Sequence, residues 1–199
     1  MRKRGLKIPE VLTETEQMAL LAQPNLRYPT RARNPTMIQL MLDTGLRLSQ
    51  ACNLQWRDVN LSTGKLMVRQ GKGAKDRSLW IGEEDLDLLR TWRERQAKDV
   101  EGNPAHIFTT LAGKPVSPRY VEKMVARVAA KAGIQKNVHP HTLRHSFATD
   151  LYRETSKIRL VQKALGHSDL STTMIYTHIV DDELEDALKS FRQPATVAV

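Results

Sequence analysis

Between His139 and His178 the sequence reads HPHTLRHSFATDLYRETSKIRLVQKALGHSDLSTTMIYTH. The apolar spacing predicts short helices over His141–Arg153 and Lys157–Leu165 and a last short one around Tyr176, which commits this stretch of the chain to packed helices. Five histidines, Arg144 and Tyr176 ride on those helices, and a packed core needs none of those side chains there. The excess points to chemistry.

The rest of the chain supplies the scaffold. Its 199 residues suit one domain, or one plus a small appendage. Hydrophobic residues make up 40% but aromatics only 5%, so the core must be built mainly from Leu, Val, Ile, Ala and Met. A net charge of +9 favours a polyanionic partner, with nucleic acid first; the plainer alternative is a basic solvated surface. Cys52 is the single cysteine, which excludes an intrachain disulfide and a multi-cysteine metal site and fits a reducing compartment. No run reaches the length of a membrane span, and MRKRGLK is basic without a following apolar signal region. A soluble, cytoplasmic protein is expected.

Thr13 with Glu16 reads as a capping box opening a helix over Glu14–Gln23, which Pro24 ends. A basic loop with two prolines leads to a second helix from about Pro35, with Met37, Leu40 and Met41 on one face, stopping at Thr44-Gly45. A short helical piece follows over Ser49–Leu54. Lys65–Gln70 and Arg77–Ile81 read as two strands of a hairpin around Gly71-Lys72-Gly73-Ala74-Lys75-Asp76. Glu83 to Lys98 is amphipathic, with Leu86, Leu89 and Trp92 along one side. Ile107-Phe108-Thr109 reads as a short third strand. Ser117 and Pro118 suit the N-cap and first position of a helix over Tyr120–Ala132, closed by Gly133. A final amphipathic helix is expected over Asp181–Phe191. The fold class is α+β, mainly α-helical, with a small antiparallel sheet and no linker long enough to divide the chain into separate domains.

Several polar residues stand out. His141 and Arg144 are three apart on one helix face, where a guanidinium forks onto two phosphate oxygens and an imidazole donates a hydrogen bond or moves a proton. Arg47 follows the apolar helix, either as a member of a site or as simple compensation of a helix C-terminus. Lys72 lies between two glycines that permit close approach to another molecule, or is merely a turn residue. His167 follows Gly166 at a helix end, where it could serve as a capping residue. Tyr176 could be a half-buried aromatic on a short helix.

The blocks TGLRLSQACNLQWRDV, GKGAKDR, HPHTLRHSFAT and ALGHSDLSTTMIYTH resemble, in that order, the signature boxes of the tyrosine recombinase (phage integrase) family. The resemblance runs from about Thr13 to Phe191. It implies a catalytic domain over residues 13–192, after a basic arm at 1–12 and before a flexible tail at 193–199; no core-binding domain, which members usually carry ahead of the catalytic one, is expected in this sequence, either as a naturally short enzyme or as an excised catalytic domain. It also implies that Arg47, Lys72, His141, Arg144 and His167 activate a DNA phosphodiester and that Tyr176 attacks it. A tyrosine, with an ordinary pKa of about 10, needs cations and a proton acceptor to act at neutral pH. In this scheme Arg47 and Arg144 clamp the phosphate oxygens, His167 adds a hydrogen bond, His141 assists the tyrosine, and Lys72 protonates the leaving 5′ oxygen. The product is a 3′-phosphotyrosyl linkage that a hydroxyl can reverse, so no metal, ATP or other cofactor is expected. Double-stranded DNA is the expected partner, with a monomer in free solution and a tetrameric synapse on DNA, and no membrane role.

Two departures from the family pattern matter. Gln50 stands where members commonly carry an acidic residue, which keeps a hydrogen bond and drops a charge. The missing core-binding domain implies weak DNA affinity that falls steeply with salt. Three rivals stay open: a zinc site on His139, His141, His145 and His167, strand relaxation of the type IB topoisomerase kind, and a non-catalytic DNA-binding regulator.

Overall fold

The computed structural model describes residues 9–23, 32–69 and 76–180. The chain divides into two compact units, one of Glu10–Phe147 and the other of Met1–Pro9 with Ala148–Val199.

In the first unit the expected capping box opens α1 (Glu14–Leu21): the Thr13 hydroxyl accepts the Glu16 N–H at 3.2 Å, and the Glu16 carboxylate accepts the Thr13 N–H at 2.8 Å. Each interaction satisfies a donor that a helix start otherwise leaves bare. Next, α2 (Arg33–Thr44) starts two residues before Pro35 and buries Met37, Ile38, Leu40 and Met41. It stops at Gly45, whose φ of 58° lies in the left-handed region that releases the chain from a helix. After α3 (Leu48–Asn53) and a 3-10 turn at Trp56–Asp58, β1 (Lys65–Val68) pairs antiparallel with β2 (Arg77–Trp80), with Lys65 opposite Trp80 and Val68 opposite Arg77. Gly64, at φ +69°, brings its backbone against Ile81; a Cβ there would lie 2.5 Å from the Ile81 carbonyl oxygen.

The next helix, α4 (Glu83–Asp99), lies against α2 and buries Leu86, Leu89 and Trp92, the stripe expected from spacing. Ile107–Thr109 departs from the expected third strand. Among the described residues it forms isolated bridges only, Gln55 with His106 and Thr109 with Pro115. Side chains supplement single backbone bonds there: the Ile107 N–H donates to the Leu54 carbonyl at 2.9 Å, while Trp92 Nε1 donates to the Ile107 carbonyl at 2.6 Å and Gln96 Nε2 to the same oxygen at 2.9 Å. With Ile107 and Phe108 both fully buried, the in–out alternation of a strand is lost. Ser117 caps α5 (Pro118–Lys131), its hydroxyl accepting the Tyr120 N–H, with Pro118 in the first turn. Finally α6 (Pro140–Thr155) starts in this unit, and its later residues belong to the second.

In the second unit α7 (Ile158–Leu165) ends on Gly166 at φ 65°, and residues 175–180 are helical. Ala148, Val161, Leu165, Tyr176 and Ile179 are buried. No helix among the described residues is long and apolar enough to cross a membrane. The expected helix over Asp181–Phe191, the tail, most of the basic arm and the hairpin tip carrying Lys72 lie outside the described residues.

Candidate active site

The first unit brings three of the expected residues together. Where α2 ends, Gly45 turns the chain and Arg47 takes extended backbone as the N-cap of α3, rather than serving as the C-terminal counter-charge of a helix. Arg144, 4% exposed on α6, donates from Nη1 to the Gly45 carbonyl. That bond fixes a buried guanidinium against the turn that carries Arg47.

Three imidazoles sit beside the arginines. His139 and Thr142 cap the start of α6 reciprocally: the His139 N–H donates to Thr142 Oγ1, and the Thr142 N–H donates to His139 Nδ1, each at 3.3 Å. The ring centroids of His139 and His141 are 6.1 Å apart, and those of His141 and His145 6.5 Å. His141 is exposed by area, yet protein on its inner side desolvates the ring. That desolvation, then the charges of His139, Arg144 and Arg47, hold its pKa below the usual histidine value against an opposing pull from Glu122. His141 is thereby kept neutral and able to accept a proton. His145 is pushed down to about 4, first by burial and then by His141, Arg144 and His139. Among the described residues no group of three or more histidine, cysteine or carboxylate side chains is arranged to hold a metal ion.

A second arginine, which the sequence marked only as the start of a strand, joins Arg47. Arg77 Nη2 donates to Gln50 Oε1 at 3.3 Å, and the same oxygen accepts the Arg47 backbone N–H at 3.0 Å. Burial, followed by the charge of Arg47, lowers the Arg77 pKa to about 10. The visible signal was its place at the end of GKGAKDR. Beside Arg47 and Gln50 lies a cleft of about 380 Å³ also lined by Asn53, Arg57 and Arg69, the last paired with Asp58 at 2.6 Å.

In the second unit His167 Nδ1 lies 3.0 Å from Thr173 Oγ1, and its backbone N–H bonds the Gln162 carbonyl just past the left-handed Gly166. Tyr176 is 1% exposed, more deeply buried than its reading as a half-buried aromatic required. Arg33, at the edge of the basic loop, is buried on α2 and donates to the Thr109 carbonyl and the Tyr120 hydroxyl, each at 2.6 Å. These bonds tie the start of α2 to Thr109 and to α5. Arg119, Lys123 and Arg127 lie exposed along α5.

The model of the phage integrase family matches residues 10–183, most of the chain. The chain belongs to the phage integrase family. The relatives of this family member include tyrosine recombinase XerD of Staphylococcus saprophyticus, 39% identical over 97% of the chain and 66% of that protein. Another is tyrosine recombinase XerC of Xanthomonas axonopodis pv. citri, 39% identical over 89% of the chain and 56% of that protein. The chain therefore spans less than two thirds of the length of these relatives. Its fold is similar to that of the XerH site-specific recombinase bound to palindromic difH substrate in a post-cleavage complex: TM-score 0.83, 31% identity, 97% of this chain and 56% of that one. The mainly helical fold with a small antiparallel sheet is thus that of the family's catalytic domains.

Proposed function

We propose that this chain breaks and rejoins DNA strands by transesterification at a phosphodiester. The observation that carries the reading is the tie between Arg144 and the Gly45 turn, which sets two arginines and the proton-accepting His141 in one patch. Such a patch suits a phosphate whose oxygens gain charge in the transition state. Tyr176 Oη attacks phosphorus and gives up its proton to His141. The bond from phosphorus to the 5′ oxygen breaks, Lys72 protonates that oxygen, and a 3′-phosphotyrosyl linkage with a free 5′ hydroxyl results. His167 donates a further hydrogen bond to the phosphate. Attack by a 5′ hydroxyl of another strand restores a phosphodiester and the tyrosine, so the bond count is conserved and no nucleotide is consumed.

The membership of the family and the match to DNA-bound XerH support double-stranded DNA as the partner. Site-specific recombination, whether integration, excision or inversion, is the outcome proposed, with a monomer in free solution and a tetramer on paired sites. A nicked suicide duplex tests the chemistry: the wild type forms a covalent adduct that persists in chelator, and Tyr176→Phe forms none. An adduct in Tyr176→Phe overturns the assignment. Relaxation of a supercoiled plasmid without paired sites favours the topoisomerase alternative, and the absence of any adduct favours a DNA-binding regulator.

A further inference from the structure

Gln50 does more than replace one side chain by another of similar shape. Its Oε1 accepts from the Arg47 backbone, 3.0 Å away, and from Arg77 Nη2, 3.3 Å away. One acceptor thereby joins the N-cap of α3 to the first residue of β2, the strand that leaves the Lys72 hairpin. A carboxylate at position 50 could accept the same two bonds while cancelling one positive charge. The amide accepts them and cancels none. Arg77 and Arg47 are close enough for their like charges to repel, and an anion arriving at Arg47 relieves that repulsion.

We propose that Arg77 is a positioning residue for this site: through Gln50 it fixes the Arg47 backbone, and its charge, which the neutral amide leaves in place, strengthens the demand at Arg47 for an oxyanion. The role rests on the phosphoryl chemistry proposed above. It gives the strand that follows the hairpin tip a connection, through Gln50, to the arginine proposed to meet the phosphate.

The full chain supplies two separate readouts. In thermal unfolding at constant ionic strength, inorganic sulfate raises the wild-type midpoint. It raises that of Arg77→Gln and of Gln50→Glu less, while Arg77→Lys keeps some of the response. In sulfate-free buffer Gln50→Glu unfolds at a higher temperature than wild type because the new carboxylate offsets the repulsion, a change of opposite sign that a merely structural glutamine would not produce. On the nicked duplex, Arg77→Gln lowers the rate of adduct formation at saturating DNA about tenfold, the scale of a small misplacement of a reacting group. The half-saturating DNA concentration stays close to that of wild type, and Arg77→Lys recovers some of the rate. Equal sulfate responses in wild type and Arg77→Gln overturn the proposal, as does a loss that appears only in DNA affinity. A wild type that forms no adduct, with the sulfate differences intact, overturns the strand-transfer function and leaves the arrangement around Arg77 standing.

Discussion

Replacing Asp85 by asparagine should stabilise the protein, by an amount that grows from about pH 4 and is complete above about pH 7. Asp85 lies in the first turn of α4, 5% exposed, where its carboxyl meets the Gly82 backbone N–H and the carboxyl of Asp43 near the end of α2. Two carboxyls bond to each other only if one retains a proton. Burial first, and then the charge of Asp43, raise Asp85 from 3.8 to about 7. At 1.36 kcal/mol per unit, that shift is a ceiling of roughly 4 kcal/mol. Asp43 is exposed and relaxes toward water, so half of the ceiling, on the order of 2 kcal/mol, is the better figure. The folded chain keeps a proton that the unfolded chain has released, so stability falls as pH rises from about 4 to about 7 and is flat above.

Asparagine can accept the Gly82 N–H through Oδ1 and donate to Asp43 through Nδ2 without ionising. It gives up the favourable charge near a helix N-terminus, a loss of about 0.5 kcal/mol, which is smaller than the gain. Asp85→Asn should therefore unfold several degrees higher than wild type at about pH 8, at roughly 2–4 °C per kcal/mol for a chain of this size. Toward about pH 4 the difference should close, because Asp85 is then protonated in the folded and the unfolded chain alike. Urea titrations at both pH values measure it. An equal offset at both, or a less stable variant at the higher pH, would show that the carboxyl pair does not share a proton.

Ser146→Ala should cost about 1–3 kcal/mol in urea unfolding, because Ser146 Oγ accepts the N–H of buried Leu12 at 2.8 Å and alanine leaves that donor bare. Gly64→Ala combines a left-handed φ with a Cβ 2.5 Å from the Ile81 oxygen and should cost about 2 kcal/mol or more, read as a lowered unfolding midpoint. His145, held down at about 4, gives the opposite slope to Asp85: the unfolded chain takes up a proton first, so stability falls as pH drops from 6.5 toward 4. His145→Gln should flatten that acid limb by on the order of 1 kcal/mol, seen in urea midpoints across the window.

The sequence made the helices of the first unit legible where the local signal was strong: the Thr13–Glu16 box, the Leu86–Leu89–Trp92 stripe and the Ser117-Pro118 start all appear at their expected places. It failed at Ile107–Thr109 because β-branched and aromatic residues mark burial as readily as they mark a strand. The side chains of Trp92, Gln96 and Arg33, remote in sequence, together with single backbone bonds to Leu54 and Val116, satisfy that backbone without a ladder. Arg47, His141 and Arg144 could be named from their boxes, yet their linkage through the Gly45 carbonyl leaves no trace in spacing. Arg77 escaped notice for the same reason. An arginine at a strand start looks solvated until its neighbour Gln50 is placed beside it.

The Leu12 amide finds its acceptor 134 positions later, at Ser146, and Arg144 reaches back 99 positions to Gly45. As the nascent chain leaves a ribosome, α1 through α5 and both strands are thus complete before either clasp can close. Contacts of such long reach form late and slowly. A growing chain halted short of α6 therefore holds Arg47 on a turn that only its near neighbours Met41 and Gln50 secure, and the proposed patch around it comes into being only once α6 has been made.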